Sequence, residues 1–182
     1  MKYLVSLFLF IFGACAFPSI VSAADIAITS IGQAPDGMMV KVLMNKMKIE
    51  TDYDSALHAK ALGPHKVLIA VVGGSSKALG AAGIAKAEEK ERGKTLLQEA
   101  RKRGVKVLVV HIGGSHRRGE LTDTFIEAVA GFADRLIVVK SGNFDGIFAR
   151  AKSPTAILME IESVQTSVPA LQSTLKDWGV TR

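Results

Sequence analysis

The chain has 182 residues, an apolar fraction of 48% and a formal net charge of +6, enough length for one substantial core. A single cysteine excludes an internal disulfide. With aromatics at only 6%, the mild basicity suits small acidic ligands or an anionic surface and not nucleic acid.

The first segment stands apart from the rest. Lys2 is the only charge before Asp25, and between them an apolar stretch from Tyr3 to Phe17 leads to Pro18 and the small-residue ending Val21, Ser22, Ala23. A short positive start, an apolar centre and an A-x-A-like end are the parts of a secretory signal peptide. Residues 1–23 are therefore expected to be removed. Residues 24–182 would then form a single α/β domain of net charge +5, periplasmic or secreted, with no transmembrane segment. An uncleaved anchor is the first rival, since the run approaches the roughly 20 residues that span a bilayer, but Pro18 and the small residues oppose it. The second is lipid attachment at Cys15, although Phe12 stands where a lipobox normally has Leu. Cleavage after Ala23 removes Cys15, and with it thiolate chemistry and cysteine metal sites.

Along the remaining chain, apolar runs of strand length alternate with amphipathic stretches. Ile26 to Ile31 reads as a first strand, stopped by Gly32. Pro35 and Asp36 open a helix through Met47, whose stripe of Met38, Met39, Val42, Leu43 and Met47 reads as core. Met47 to Asp54 is a candidate short edge strand. Val67 to Val72 has the continuous apolar character of a buried parallel strand. Ile84 to Arg103 is a long polar helix ended by Gly104. A strand at Val105 to Ile112, a helix at Leu121 to Phe132, a strand at Leu136 to Val139 and a short helix at Phe144 to Ala151 follow. Ala156 to Ile161 is the last strand and Val168 to Trp178 the closing helix. About six strands and at least five helices in this order predict a three-layer, doubly wound, mostly parallel α/β sheet. The expected strand order is flavodoxin-like or Rossmann-like, the former preferred.

Ligands of such sheets bind beyond the carboxyl ends of the strands, which directs attention to four loops. The first holds Gly32 and Gln33, the second Gly73, Gly74, Ser75, Ser76 and Lys77. The third holds Gly113, Gly114, Ser115, His116 and Arg117, the fourth Ser141 and Asn143. The second and third share a repeat: Lys66 to Lys77 and Lys106 to Arg117 both read K-V-L-x4-G-G-S-x-[K/R]. Glycines let the backbone approach a ligand closely, and serine hydroxyls and helix-start amides hold anion oxygens. Lys77 and Arg117 add charge on the same rim. The bland reading is two turns that need glycine and a capping serine for geometry alone.

Named motifs do not complete. The stretch from Gly73 to Gly83 lacks both the phosphate-loop and the dinucleotide-binding spacing. Lys77 and Arg117 occupy the last position of an otherwise G-x-S-x-G pattern. Ser173 and Lys176 match S-x-x-K on an amphipathic helix, where chance accounts for it. No compact metal-ligand spacing occurs, so no metal, no cofactor and no catalytic residue is assigned. His116, beside Arg117 and Arg118, is the histidine placed to donate to a ligand or act as a base, while His111 reads as a satisfied core group. Asp36 and Asp145 read as helix-start capping acids. Glu160 and Glu162 end the last strand within reach of the rim.

The blocks I-T-S-I-G-Q-A-P-D-G-M-M, V-G-G-S-S-K-A-L-G-A-A-G-I and V-H-I-G-G-S-H-R-R-G resemble a family of uncharacterised bacterial secreted or lipid-anchored domains. That resemblance spans nearly all of the chain after residue 23 and implies export and a single α/β domain, with no activity to transfer. The first block also resembles the opening strand, loop and helix of periplasmic solute-binding receptors, from which this chain departs in having about one lobe's worth of residues. The leading expectation is an exported, non-enzymatic envelope protein that binds a small anionic solute. An extracytoplasmic hydrolase or transferase using His116 with Ser75, Ser76 or Ser115 is the second reading. An interaction module for another envelope protein is the third, and it requires an exposed apolar patch away from the strand ends.

Overall fold

The computed structural model describes residues 24–181; the segment 1–23 read as a signal peptide, Cys15 included, lies outside them. Six strands, β1 (Ile26–Ile31), β2 (Asp52–Tyr53), β3 (Val67–Val72), β4 (Lys106–His111), β5 (Arg135–Val139) and β6 (Ile157–Ile161), form one sheet. Its order is β2-β1-β3-β4-β5-β6 and every pairing is parallel. This is the flavodoxin-like order expected from the sequence, extended by β6. The central strands β1 and β3 are buried at every position, which is why their sequences are apolar throughout instead of alternating. At the edges β2 is two residues long and carries Asp52, and Ile157 of β6 is exposed.

Among the described residues six α-helices cover the two faces: α1 (Asp36–Lys46), α2 (Ser76–Ala82), α3 (Lys86–Lys102), α4 (Glu120–Val129), α5 (Ile147–Ala151) and α6 (Ser167–Asp177). Leu96, Leu97, Phe125, Ile126, Val129 and Phe148 of α3, α4 and α5 pack with Ala27, Leu68, Ala70 and Val109 on one side. On the other, Val40 and Met44 of α1 and Leu171 and Leu175 of α6 pack with Ile26, Ile28, Ile69 and Val110. Successive strand residues feed opposite cores, as the two-residue period requires.

Two local expectations change. The glycine-rich stretch before α3 is a separate helix, α2, closed by Gly83 in the left-handed conformation. The stripe expected as the core side of α1 is core in part only: Met47 packs against the core edge and Leu43 is half-buried. Met38, Met39 and Val42 are about half exposed, and the buried face consists of Asp36, Gly37, Val40 and Met44. Gly37 decides this, because a Cβ there would run into the Ser30 hydroxyl. The helix settles on the sheet through the side that lacks a side chain.

Candidate functional site

The chain leaves β1 for α1 on one face and leaves β3 for α2 and α3 on the other, so the carboxyl ends of β1 and β3 diverge at a topological switch point. The β1 loop is held tightly there. Gly32 has φ +91°, and a Cβ on it would lie 2.5 Å from the Gly73 carbonyl. Gln33 adopts φ 58° and forms an antiparallel bridge with Gly74, flanked by bonds from Ala34 N–H to Gly73 and from Ser75 N–H to Gly32. The Gln33 side chain is consumed locally, donating to Ser55 O and to Glu89 Oε1.

Beneath this loop is a buried ion pair that the charged sequence of α3 conceals. Glu89 is fully buried. Its Oε1 accepts from Gly32 N–H at 2.8 Å and from Arg92 at 2.7 Å, while its Oε2 accepts from Arg92 Nε at 2.7 Å. Arg92 also donates to Leu57 O at 2.6 Å and Ser30 O at 2.5 Å. Two charges at i, i+3 on a helix are ordinarily solvated. This pair instead clamps β1, its loop and the β2–β3 connection together.

The two copies of the repeat take different structures. Ser75 is the N-cap of α2, its Oγ accepting from Ala78 N–H at 3.2 Å, and Gly74 N–H donates to Thr122 Oγ1 of α4 at 2.9 Å. This copy therefore follows the capping reading. Ser76 and Lys77 are exposed, and Lys77 has no ion-pair partner among the described residues. In the other copy Gly114 has φ 61° and Ser115–Arg117 form a 3-10 turn set ahead of α4. Ser115 N–H donates to Ser141 Oγ at 3.4 Å, and no side-chain cap forms. The difference originates in Arg118, which is buried and binds Asp123 at 2.6 Å, Asp145 at 2.9 Å and the Gly142 carbonyl. These bonds raise the Arg118 pKa and hold the Asp145 carboxyl down at about 2. Asn143 is likewise structural, donating to Glu160 at 2.8 Å and accepting from Phe148 N–H at 3.0 Å. His111 is buried in the core, with Nδ1 3.0 Å from Val72 O and Nε2 3.3 Å from Gly114 O, so its ring N–H donates to one of these two carbonyls.

What remains on the rim is a carboxylate and a guanidinium. Asp36 does not cap α1. Its side chain is 9% exposed, and its Oδ2 is buried with no hydrogen-bond partner among the described residues. That oxygen lies 3.0 Å and 3.7 Å from where Cβ atoms of Gly113 and Gly73 would stand, so it points between the two glycine turns. The Arg117 stem covers Gly113, and its Nε is 3.9 Å from Asp36 Oδ1, within ion-pair range but too far for a hydrogen bond. Arg117 is 43% exposed. Thus Gly73, Gly113 and Arg117 meet at one point with Asp36, the residue sequence reading had assigned to capping. His116 is exposed and makes no hydrogen bond to Ser75, Ser76 or Ser115, so the contact an acid–base reading needs is not formed. Among the described residues no group of three or more His, Cys, Asp or Glu is placed to hold a metal ion.

Two open clefts of about 540 Å³ lie elsewhere, one between α1 and the β2 edge at Lys41, Lys48 and Asp52, the other between His58 and α3. Neither includes a residue of the four loops. A family model described as a domain of unknown function (DUF6305) matches residues 23–175. No curated protein and no solved structure matches.

Proposed function

Since the chain belongs to the DUF6305 family, a domain of unknown function, we propose its function from its own geometry: an exported protein that binds a small anionic solute at the carboxyl ends of β1, β3 and β4. The observation that carries this reading is Arg117, a half-exposed guanidinium whose stem lies over a glycine turn at the switch point and whose one ion pair among the described residues is with Asp36, at 3.9 Å. Arginine presents five N–H donors in a planar fork suited to carboxylate or phosphate, and one ion pair at 3.9 Å leaves most of them for a ligand. Lys77 adds positive charge at the neighbouring loop. Export rests on the Lys2, apolar and Val21-Ser22-Ala23 pattern, and no helix among the described residues is long and apolar enough to cross a membrane.

A thermal-shift screen of the purified protein against carboxylates, sugar phosphates, phosphate and sulfate tests the binding. A saturable rise in Tm that Arg117→Ala abolishes is expected, and no rise with any anion refutes it. N-terminal sequencing of the chain recovered from the cell envelope or medium tests the export, with Ala24 the expected first residue.

A second reading, an interaction module of the envelope, is favoured by the exposed Met38, Met39 and Val42 on α1. It predicts that replacing Met39 and Val42 by Lys leaves the thermal shift intact and abolishes a cross-linked envelope partner.

A further inference from the structure

We propose that the solute is a zwitterion, a small carboxylate carrying its own ammonium group, as an α-amino acid does. This rests on the anion-binding reading above and narrows it to one ligand class. The reasoning begins at Asp36. A carboxylate taken out of water is costly unless its oxygens are hydrogen-bonded, and Oδ2 of Asp36 is buried without a partner among the described residues. Its helix does not satisfy it. The one charge facing it among the described residues is Arg117, at 3.9 Å from the other oxygen. Asp36 is therefore an acceptor without a donor, set between the glycines of two loops and covered by the Arg117 stem.

A plain anion does not resolve this. Held by the free donors of Arg117, it brings a second negative charge beside the buried Asp36 carboxylate, and like charges at such range repel. A zwitterion satisfies both groups at once. Its carboxylate takes the fork of Arg117 and its ammonium donates to Asp36 Oδ2. The Asp36–Arg117 pair has no net charge, so its complement has none either. Arg117 covers the carboxylate in the structure, and its place on the exposed turn Ser115–Arg117 lets it lift to admit the ligand. Gly73 and Gly113 set the scale. A Cβ at Gly113 would meet both the Arg117 stem and, at 3.0 Å, Asp36 Oδ2, so an ammonium reaches the carboxylate when the Arg117 stem lifts, and a bulkier group on that side meets the glycine turns.

The test is isothermal titration of the purified protein with three matched sets: α-amino acids, the same acids without the amine, and their 2-hydroxy analogues. Amino acids are expected to bind about tenfold or more tighter than either counterpart, the effect of one charge-assisted hydrogen bond. Asp36→Asn is expected to lose that preference while keeping the weak binding of the amine-free acids, and Arg117→Ala to lose all three. Equal binding of amino acids and amine-free acids overturns the zwitterion and leaves the anion site standing, as does equal binding of the hydroxy acids. No binding of any carboxylate or of inorganic phosphate overturns both readings. A control guards against misfolding. Ligand-free Asp36→Asn is expected to melt no lower than wild type, because it removes a buried charge whose Oδ2 has no hydrogen bond, and a lower Tm would overturn the proposal by assigning Asp36 a structural partner.

Discussion

Replacing Arg92 by Ala is expected to cost about 4 kcal/mol of stability, far more than removal of any exposed charge on α3. The side chain donates to Glu89 twice and to the carbonyls of Ser30 and Leu57. Without it, a fully buried carboxylate keeps only Gly32 N–H and the Gln33 amide as donors, and two buried carbonyls lose theirs. Breaking a buried pair from one side costs roughly 3–5 kcal/mol, and each stranded polar group about 1–3 kcal/mol; these overlap and are not summed. At about 3 °C per kcal/mol for a chain of this size, Tm should fall by roughly 12 °C. Urea denaturation followed by far-UV circular dichroism at neutral pH measures the free energy directly. A cycle with Glu89→Gln and Arg92→Met isolates the pair. The double variant should be less destabilised than the two single effects added, by about 2 kcal/mol, because it strands no charge. An Arg92→Ala cost below about 1 kcal/mol, or strict additivity in the cycle, would refute the claim that this ion pair holds the β1 loop.

Four further outcomes follow from the same geometry. Arg118 depresses the Asp145 pKa from 3.8 to about 2, so as pH falls the unfolded chain takes the proton first. The resulting stabilisation is complete above about pH 5 and is lost as pH approaches 2. In Arg118→Gln an NMR titration of the Asp145 carboxyl should move back towards 3.8, and an unmoved midpoint would exclude Arg118 as the cause. Ser75→Ala should cost about 1 kcal/mol through the lost α2 cap and leave the anion response unchanged in the thermal-shift screen, whereas an altered response would return Ser75 to the binding site. Gly80→Ala, in open space on α2, should stabilise by about 0.5–1 kcal/mol. Gly32→Ala, at φ +91° against the Gly73 carbonyl, should destabilise by about 3 kcal/mol or more in the same denaturation assay.

The sheet was legible because parallel strands buried on both faces leave continuous apolar runs, and Ile26 to Ile31 and Val67 to Val72 match the strands residue for residue. Helix facing was less legible where both sides of a helix are apolar. In α1 the methionines lie on both, and Gly37 with its near contact to Ser30 decides which side meets the sheet. The spacing of Gly37, Val40 and Met44 was the available signal. At the site, the repeated K-V-L-x4-G-G-S pattern suggested two equivalent turns. Their geometry diverges because Arg118 finds Asp123 and Asp145, contacts that depend on tertiary placement and have no counterpart after Lys77. Glu89 and Arg92 were hidden for a related reason: in a run of charged residues, composition does not distinguish the pair that faces the core from those that face water.

The two ion pairs at the switch point share chemistry and differ in how far it is satisfied. In Glu89 and Arg92 both carboxylate oxygens accept hydrogen bonds and the guanidinium also serves two backbone carbonyls. Further ligation there would require breaking something. In Asp36 and Arg117 the charges face one another at 3.9 Å with no hydrogen bond between them, one end buried and the other half exposed. A buried polar network is stabilising when complete and costly when partial, so a pair left partial beside a completed one is the place where an added molecule gains most. The completed pair fixes the loop that carries the chain into α1 and so fixes Asp36. The partial pair is drawn from α1 and the β4 loop, distant in sequence and brought together only because α1 lies over the end of β3. The proposed site is therefore a property of the winding of the sheet, which no local motif could have announced.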